Sequence, residues 1–207
     1  DVHKHALLAF MLAYLTAKPK PLSYIETHAG RGLYRLDGAE ALKTGEAAAG
    51  VARLEGCFTP HHPYRRALEA TRTRFGATAY PGSPLLAAQL LRPGDTLHLA
   101  ELHPGEHAAL GATMAPFGAH VHAQDGLEMA LALCPPTPRR GLLLIDPPYE
   151  IKADYETLPR RIGQIARKWN VGIIALWYPI LEGGPAAPSA PAMRQALCAA
   201  FPHRAVP

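Results

Sequence analysis

The stretch Leu142-Leu143-Leu144-Ile145-Asp146-Pro147-Pro148-Tyr149 decides which fold this chain can adopt. Its uninterrupted apolar run is typical of a strand that is buried on both faces of a parallel sheet. Asp146 follows at the carboxyl end of that strand, which is where α/β proteins place their binding and catalytic groups. An acid that only forms the turn after the strand remains the alternative interpretation.

The tetrapeptide Asp146-Pro147-Pro148-Tyr149 has the composition of a pocket for a base amine. An exocyclic amine of adenine or cytosine is a poor nucleophile because its lone pair is delocalised into the ring. The Asp146 carboxylate and the Pro147 carbonyl can both accept hydrogen bonds from this amine and draw its nitrogen toward tetrahedral geometry. Tyr149 offers a face for stacking. The motif therefore predicts a base-amine methylation site with Asp146, Pro147 and Tyr149 as its catalytic residues.

Helical and strand patterns alternate along the chain, which predicts parallel strands joined by crossover helices. Apolar residues at helical spacing predict a first helix over 2–17, ended by Pro19 and Pro21. Further strands are predicted at 22–25, 96–100, 119–123, 142–145 and 171–178, and further helices at 105–114, up to Cys134 and at 192–201. The expected fold is an α/β sheet covered by helices on both faces.

The segment 36–91 is helical in pattern but too long for a single crossover helix. We predict that it forms a small inserted helical subdomain within one domain spanning 1–207. One of its helices is expected to begin at Thr44-Gly45-Glu46, and a basic one is expected over 65–74. After the last strand, a Gly/Pro/Ala link at 183–191 leads to the final helix, and a further strand is expected to begin within 203–207.

Composition excludes several classes of protein. An apolar content of 48% excludes a disordered chain, and three widely spaced cysteines suggest neither a disulfide framework nor a zinc cluster. A net charge of +4 is compatible with a nucleic-acid partner without requiring one. The apolar stretch from Ala6 to Leu15 is too short to span a membrane. We expect a cytoplasmic, monomeric protein without membrane contact.

The histidines do not predict a metal site. His103 and His107 have the i, i+4 spacing of a helical ligand pair, but no third ligand with matching spacing follows them. We therefore expect no bound metal.

Acidic residues stand at the ends of successive predicted strands, namely Glu26, Glu101, Asp125 and Asp146. Because parallel strands bring their carboxyl ends to one edge of a sheet, these side chains are expected to line a single rim. Such a rim suits S-adenosylmethionine, with Glu101 accepting the ribose hydroxyls and Asp125 contacting the adenosine. Each acid taken alone could equally be the N-cap of the following helix.

Gly30 and Gly32 follow the first strand, where glycine lets the backbone approach a ligand closely. A dinucleotide-binding turn is disfavoured because the third glycine position is occupied by Arg35. A P-loop is disfavoured as well, because Gly38 with Lys43-Thr44 lacks the second glycine. We assign Gly30 to the methionine part of S-adenosylmethionine.

Further motifs extend over nearly the whole chain: Asp1-Val2-His3-Lys4-His5, Glu26-Thr27-His28-Ala29-Gly30-Arg31-Gly32, Thr44-Gly45-Glu46, Tyr80-Pro81-Gly82-Ser83-Pro84, Glu101-Leu102-His103-Pro104, Asp125-Gly126, Arg140-Gly141 and Ala175-Leu176-Trp177-Tyr178-Pro179. With these motifs the sequence resembles the ribosomal RNA large-subunit methyltransferase J family, bacterial enzymes that methylate N6 of an adenine in 23S rRNA. The Tyr-Pro-Gly-Ser-Pro and Leu-Trp-Tyr-Pro blocks are not general methyltransferase features, so the resemblance is specific.

The resemblance implies a class I (Rossmann-like) S-adenosylmethionine-dependent methyltransferase fold with a small helical insertion. It implies that Asp146 is the catalytic residue and that the cofactor is contacted by His5, His28, Ser83, Glu101, Asp125 and Gly126. It also implies that the domain is truncated at both ends. The family has a His- and Gly-containing segment before the first helix and an antiparallel hairpin that completes the sheet.

The expected function is therefore S-adenosylmethionine-dependent methylation of an adenine N6 in 23S rRNA. Two alternatives stay open: a DNA adenine-N6 methyltransferase, which uses the same tetrapeptide, and a catalytically silent nucleic-acid-binding remnant. For substrate binding we single out Lys4 together with Arg65, Arg66 and Arg72. The three arginines lie in a basic helical stretch that could equally be a solvated face.

Overall fold

A computed structural model describes residues 2–37, 46–149, 152–179 and 189–201. The helices within these ranges are α1 (Val2–Thr16), α2 (Glu46–Glu55), α3 (Pro63–Phe75), α4 (Ser83–Leu90), α5 (Pro104–Met114), α6 (Gly126–Leu133), α7 (Lys152–Lys168) and α8 (Ser189–Ala200). The strands are β1 (Ser23–Glu26), β2 (Leu33–Arg35), β3 (Ala79–Pro81), β4 (Thr96–Ala100), β5 (His120–His122), β6 (Gly141–Ile145) and β7 (Ile173–Leu176). The predicted helix start at 44–45, the link at 183–188 and the strand beginning within 203–207 lie outside the described residues.

Five parallel strands form the central sheet, in the order β5-β4-β1-β6-β7. The middle strand, β1, pairs with β4 and β6, so that Ser23 lies opposite both Thr96 and Gly141. The outer strands β5 and β7 continue the same parallel register. Parallel neighbours require crossover connections, and helices supply most of them. The predicted α/β sheet of parallel strands is confirmed.

The core consists of two layers, one on each face of the sheet. Successive strand residues point to opposite faces, so Tyr24 and Leu144 pack under one helical layer while Ile25 and Leu143 pack under the other. The first layer is built by α1, α3, α4 and α5, and the second by α6, α7 and α8. β6 is buried along its whole length, as its apolar run predicts. Complete burial of one such leucine contributes about 1.5–3 kcal/mol.

Local sequence signals determine where several helices begin and end. α3 begins at Pro63. Proline has no backbone N–H, and the N–H of a first-turn residue has no partner within the helix. The His62 ring accepts a hydrogen bond from the Tyr64 N–H. It ends before Gly76, whose φ of +104° is accessible to glycine. α5 likewise begins at Pro104, after an N-cap at His103. Both helices belong to the first of the two helical layers.

The structure differs from the expected helical pattern in part of the segment 36–91. Helices α2 and α3 lie where helices were expected, but β3 forms an antiparallel pair with β2, in which Tyr80 lies opposite Tyr34. A strand of three residues that ends in Pro81 is too short to give a period-2 pattern. The pair places Tyr80 and the start of α4 next to the sheet.

Helix α7 has no counterpart among the predicted elements, although it has 17 residues. Its inward residues Leu158, Ile162, Ile165 and the following Trp169 recur at helical spacing, which is the signal that predicts such a helix. Pro159 lies inside the helix, where a proline usually ends a helical pattern. The strand expected at 171–178 is shorter in the structure, where it spans only β7.

In the described part of the chain, none of the helices combines the length and apolarity needed to cross a membrane. An apolar groove of about 570 Å³ lies between α1 and β7, beside Lys4. Leu7 and Phe10 of α1 line this groove and are 46% and 61% exposed.

Candidate active site

The four predicted acids lie along one edge of the sheet, at the carboxyl ends of neighbouring strands. In spatial order they are Asp125 after β5, Glu101 after β4, Glu26 at the end of β1 and Asp146 after β6. They differ in their surroundings, because Glu26 is completely buried while Asp125 is exposed. The edge therefore combines ionic groups at the surface with a carboxyl group inside the core.

Asp146 forms an ion pair with Lys4, in the first turn of α1. The Lys4 ammonium donates a hydrogen bond to Oδ2 of Asp146. The two side chains are only 10% and 19% exposed, so water screens their attraction weakly. The structure thus places Lys4, which was predicted to bind substrate, in contact with Asp146, the predicted catalytic acid. The two residues are 142 positions apart in the sequence.

Tyr149 adopts a left-handed backbone conformation, with a φ of +56°. Its hydroxyl donates to the Trp177 carbonyl oxygen at 2.9 Å, and its ring centroid lies 4.6 Å from that of Tyr155. An aromatic residue in this region of backbone space is strained and persists only where surrounding contacts hold it. The tetrapeptide is thereby fixed in one bent shape, with Pro147 buried and Pro148 exposed.

The glycine turn after β1 is tied to the end of β4 through Glu101. The Glu101 carboxylate accepts hydrogen bonds from the Gly30 N–H and the His103 N–H, both at 2.8 Å. Gly30 and Gly32 have φ values of +63° and +76°, which confirms that this turn uses glycine's conformational freedom. Glu101 therefore supports the glycine turn, a contact that the sequence did not predict.

Asp125 and Gly126 form the start of α6. Asp125 Oδ1 accepts a hydrogen bond from the Glu128 N–H at 2.8 Å, so the residue is an N-cap as well as a candidate ligand contact. A side chain at position 126 would place its Cβ 1.9 Å from the Thr27 carbonyl oxygen. Glycine here lets α6 approach the loop after β1, and packing explains this residue without reference to a ligand.

A buried polar cluster lies beneath the edge. Glu26 accepts a hydrogen bond from the Tyr24 hydroxyl at 2.9 Å and also contacts the Ser83 hydroxyl. His5 shares a 2.8 Å hydrogen bond with the Tyr80 hydroxyl. Burial raises the pKa of Glu26 to about 8, although both hydroxyls oppose the rise. Burial, aided by the Lys4 charge, holds the pKa of His5 well below its usual value, so both groups are neutral at pH 7.

His28 lies in the loop after β1 and is half-buried. Its Nδ1 shares a hydrogen bond of 2.7 Å with the Thr27 hydroxyl. The loop also carries Ala29, whose N–H donates to the Ala100 carbonyl oxygen at 3.0 Å. His28 is therefore positioned at the same strand ends as the acids.

The basic residues of α3 are divided between different surroundings. Arg65 and Arg72 both form ion pairs with Glu55 of α2, at 3.2 and 2.7 Å. The hydrogen bond from Arg72 lowers the pKa of Glu55, and the charges of both arginines add to this. Arg66 is exposed, and so is Arg74, whose guanidinium lies over the rings of Phe75 and Phe117. Of the three arginines predicted to bind substrate, Arg65 and Arg72 are thus engaged in ion pairs, whereas Arg66 is exposed.

Two tyrosines of the buried cluster were not among the predicted site residues. Tyr24 stands two positions before Glu26 in β1, and side chains at this spacing share one face of a strand. Tyr80 belongs to the Tyr80-Pro81-Gly82-Ser83 block, yet its role depends on β3, which the sequence pattern does not reveal. The strand periodicity alone was enough to place Tyr24 beside Glu26.

The groups at this edge fit S-adenosylmethionine in chemical type. Exposed or half-exposed carboxylates at Glu101 and Asp125 suit hydroxyl and amine donors, and the turn at Gly30 brings backbone close to the same place. A Cβ at position 30 would lie 2.5 Å from the Tyr34 hydroxyl, so glycine at this position also leaves room for the Tyr34 side chain. In the described residues, no three His, Cys, Asp or Glu side chains come together in a way that could hold a metal ion.

Comparison with known proteins identifies the family to which the chain belongs. The profile of the family described as "Ribosomal RNA large subunit methyltransferase D, RlmJ" matches residues 19–187. The chain belongs to this family. The predicted family resemblance and the predicted methyltransferase type of sheet are thereby confirmed.

Individual members of the RlmJ family agree with this assignment. The chain is 38% identical over 185 residues to ribosomal RNA large subunit methyltransferase J of Escherichia coli, and 38% identical over 186 residues to the protein of that name from Haemophilus influenzae. Each match covers 87% of this chain and 66% of the relative, so the chain spans slightly less than two thirds of their length. A solved protein structure from Legionella pneumophila superimposes with a TM-score of 0.80 and 35% identity, covering 95% of this chain and 73% of that one.

Proposed function

We propose that the protein transfers a methyl group from S-adenosylmethionine to N6 of an adenine in 23S ribosomal RNA. The observation that carries the proposal is the arrangement at the end of β6, where Asp146, Pro147 and Tyr149 are held together and Asp146 is paired with Lys4. Membership of the RlmJ family supports the choice of ribosomal RNA.

The adenine amine is assigned to Asp146 and to the carbonyl oxygen of Pro147. Lys4 occupies Oδ2 of Asp146, so we assign one amine hydrogen to Oδ1 and the other to the carbonyl. These two acceptors draw the nitrogen lone pair out of the ring and stabilise the positive charge that develops on the nitrogen. S-adenosylmethionine, when bound, supplies an electrophilic methyl on its sulfonium.

After transfer, the methylated nitrogen carries one proton too many, and Asp146 accepts that proton. Lys4 holds the carboxylate in one orientation during this step, so positioning provides much of the rate. Tyr149 provides a stacking surface for an adenine that has left its helix, worth about 1–3 kcal/mol against an unstacking cost of a few kcal/mol. Its hydrogen bond to Trp177 keeps the ring in place for this contact.

The cofactor is assigned to the edge formed by β5, β4 and β1. Glu101 is proposed for the ribose hydroxyls and Asp125 for the adenosine, while Gly30 lies beside the methionine part. The remaining proposed contacts are His5, His28, Ser83 and Gly126. We further propose that the protein acts as a monomer in the cytoplasm, where ribosomes are assembled.

The deciding experiment uses radiolabelled S-adenosylmethionine and ribosomal RNA from a strain that lacks the modification. Incorporation into 23S rRNA, mapped to the N6 of an adenine, is the expected result. Duplex DNA of the same base composition is the parallel substrate. Preferential labelling of DNA would replace the proposal with a DNA adenine methyltransferase, since the tetrapeptide serves both substrates.

A catalytically silent nucleic-acid-binding protein is the second alternative. Calorimetric titration with S-adenosylmethionine separates the cases when it is combined with the labelling assay. Cofactor binding without any transfer to 23S rRNA, both as free RNA and as assembling subunits, would contradict the proposed activity.

A further inference from the structure

Cationic side chains are concentrated at the amino-terminal edge of the sheet, opposite the edge that holds the candidate active site. In a parallel sheet, every connection that leads into a strand arrives at this edge. The connections into β1, β4, β6 and β7 all carry lysine or arginine close to the start of the strand. We call this set the basic edge, and its members are Lys18, Lys20, Arg92, Arg139, Arg140, Arg167 and Lys168.

Hydrogen bonds to backbone carbonyl groups join the connections into β1, β4 and β6. The Arg92 guanidinium donates to the carbonyl oxygens of Lys18 and Lys20, at 2.5 and 3.1 Å. Arg140 donates to the same Lys20 carbonyl oxygen at 3.1 Å. Two guanidinium groups from different connections thus meet on one loop, which keeps these cations close together.

The end of α7 is attached to the same edge. The Trp169 indole N–H donates to the Arg139 carbonyl oxygen at 2.5 Å, and Trp169 directly follows the basic last turn of the helix, which contains Arg167 and Lys168. The Arg139 and Arg167 side chains are exposed. The basic edge therefore extends across the starts of four of the five strands of the sheet.

Little negative charge opposes these cations. Asp95 lies at this edge, but its side chain is only 1% exposed and forms an ion pair with Arg92. The other six members of the basic edge take part in none of the ion pairs found among the described residues. Lys18 and Lys20 are both exposed. The edge thus presents a positive surface to the solvent.

The catalytic edge has the opposite charge, because Glu101, Asp125 and Asp146 lie along it. An RNA that brings an adenine to Asp146 also brings phosphate groups toward these carboxylates, which repel them. Attraction for the RNA backbone therefore has to come from cations elsewhere on the protein. Because β4 and β6 have five residues each, the basic edge lies about 15 Å from the catalytic edge, at a rise of about 3.3 Å per residue.

A polar groove of about 740 Å³ leads from α3 toward the basic edge. It lies between α1, α3 and α4, and its lining includes Arg66 of α3 and Ala17, which directly precedes Lys18. Glu69 also lines the groove, but its carboxylate is paired with Arg65. The exposed arginine of α3 and the basic edge are thus parts of one continuous surface.

We propose that the basic edge binds the phosphate backbone of the RNA, at segments of the substrate that lie beyond the target adenine. This inference rests on the proposed function, which makes RNA the substrate. Contacts to phosphate position a nucleic acid and carry no base specificity. The basic edge therefore raises the affinity for long RNA, while the chemistry takes place at the other edge of the sheet.

The test uses a double variant, Lys20→Gln with Arg139→Gln, which removes exposed charges from two connections. The backbone carbonyl groups of both residues make the structural contacts, so the substitutions preserve those contacts. Filter binding of unmodified 23S rRNA is measured across a salt series. The slope of log affinity against log salt should fall by about 0.7–0.9 for each lost phosphate contact, and the affinity at 0.1 M salt should fall at least about tenfold.

Arg160→Gln with Arg194→Gln is the matched control, because it removes two exposed charges of α7 and α8 that lie outside the basic edge. It should leave the slope and the affinity as in the wild type. Equal losses in the two double variants would reduce the effect to net charge and overturn the inference. An unaltered slope in the Lys20/Arg139 variant would overturn it as well, because the cations would then serve only the ends of helices.

A short substrate separates the two edges of the sheet. An adenine-centred trinucleotide that occupies the pocket at Asp146 does not extend to the basic edge, so the wild type and both double variants should bind it equally. Vesicles that contain phosphatidylglycerol provide a second polyanion. Loss of vesicle binding in the Lys20/Arg139 variant, with unchanged binding of 23S rRNA, would overturn the inference in favour of a membrane surface.

Methyl transfer to 23S rRNA distinguishes this inference from the proposed function. The Lys20/Arg139 variant should show a raised KM for the RNA and an unchanged kcat. If the wild type transfers methyl groups to 23S rRNA and the variant has the same KM, the inference fails alone. If the wild type binds RNA through the basic edge but transfers no methyl group, the proposed activity fails alone.

Discussion

In the proposed mechanism the chemistry depends on Asp146, which is paired with Lys4. Breaking such a partly buried pair from either side leaves an uncompensated charge, which is costly. A change at Lys4 therefore alters both the protein's stability and the orientation of Asp146. Changes at Asp146 itself test the chemistry more directly, because they also remove the acceptor for the amine.

The first prediction concerns Asp146. We expect Asp146→Ala and Asp146→Asn to lower the rate of methyl transfer at least a hundredfold, the usual contribution of a positioned base, because both remove the proton acceptor. Cofactor affinity measured by calorimetry should change by less than about 1 kcal/mol, as expected for a group that contacts substrate rather than cofactor.

Glu156→Gln is the matched control for these variants, because it removes the charge of an exposed carboxylate on α7. It should retain transfer and affinity. Turnover by Asp146→Asn within a few fold of wild type would remove Asp146 from the role of base.

The second prediction concerns Glu101, which accepts hydrogen bonds from the Gly30 and His103 N–H groups. Glu101→Ala should weaken S-adenosylmethionine binding by about 1.5–3 kcal/mol, the range for a hydrogen bond to a charged group. Part of this loss comes from the turn, which loses its support at Gly30.

Glu106→Gln serves as the control for Glu101, because it neutralises a nearby carboxylate that is paired with Arg31 instead. Calorimetry should show little change for this variant. Equal losses for both variants would point to the general negative charge of the edge rather than to a contact made by Glu101.

At the scale of elements, α3 carries two kinds of arginine. Arg65 and Arg72 hold α2 through Glu55, so their guanidinium groups are already engaged in partly exposed ion pairs. Arg66 and Arg74 are exposed and can reach a phosphate backbone without breaking those ion pairs. Under the proposed function, Arg66 and Arg74 are therefore the residues of this helix that we expect to contact RNA.

The third prediction separates these two pairs. Replacing Arg66 and Arg74 with Gln should weaken RNA binding and reduce the slope of log affinity against log salt by about 0.7–0.9 for each lost phosphate contact. Replacing Arg65 and Arg72 with Gln should instead lower the free energy of unfolding slightly, because each change removes a partly exposed ion pair with Glu55.

Filter binding across a salt series and chemical denaturation provide the two measurements. Cofactor affinity should remain unchanged in both double variants. An unaltered salt slope after loss of Arg66 and Arg74 would show that α3 is not part of the RNA-binding surface.

For the whole molecule, buried titratable groups set the pH range in which the fold is most stable. Glu26 has a folded pKa of about 8, above its ordinary value, so its contribution is complete below about pH 4.5 and is lost as the pH rises to 8. Burial lowers the pKa of His98 to about 4, and the neighbouring His120 and His122 add to this. The contribution of His98 is therefore present above about pH 6.5 and is lost as the pH falls to 4.

The fourth prediction is that the wild type is less stable at pH 8 than at pH 6.5. Above pH 6.5 only the Glu26 effect remains of these two, with a slope of up to about 1.4 kcal/mol per pH unit for one proton. Chemical denaturation at several pH values measures the free energy of unfolding. Between pH 6.5 and pH 8 this free energy should change less in Glu26→Gln than in the wild type.

His98→Gln is the complementary control, because it removes a group that acts only on the acidic side. Relative to the wild type, in which the Glu26 effect opposes the His98 effect between pH 6.5 and pH 4, it should increase the free energy of unfolding at pH 4 compared with that at pH 6.5, and it should leave the change above pH 6.5 as in the wild type. A wild-type stability that is constant from pH 6.5 to pH 8 would contradict a buried, neutral Glu26.

The sequence by itself determined the parallel sheet and the edge at which its acidic residues lie. An apolar run such as Leu142–Ile145 and the acid after it are local signals, because burial and chain reversal leave their marks within a few residues. The parallel sheet, the run of acids at its edge and the glycine turn after β1 could therefore be predicted. The family, too, could be recognised from motifs that lie along the chain.

Only the tertiary structure decided how the residues at that edge are paired and charged. The contact between Lys4 and Asp146, the support of Gly30 by Glu101 and the division of the α3 arginines join residues that lie far apart in sequence. The neutral state of Glu26 depends on complete burial among groups from several elements, and desolvation has no local sequence signature. A linear pattern encodes which face a residue takes, whereas its partners and its charge follow from the packing of the whole chain.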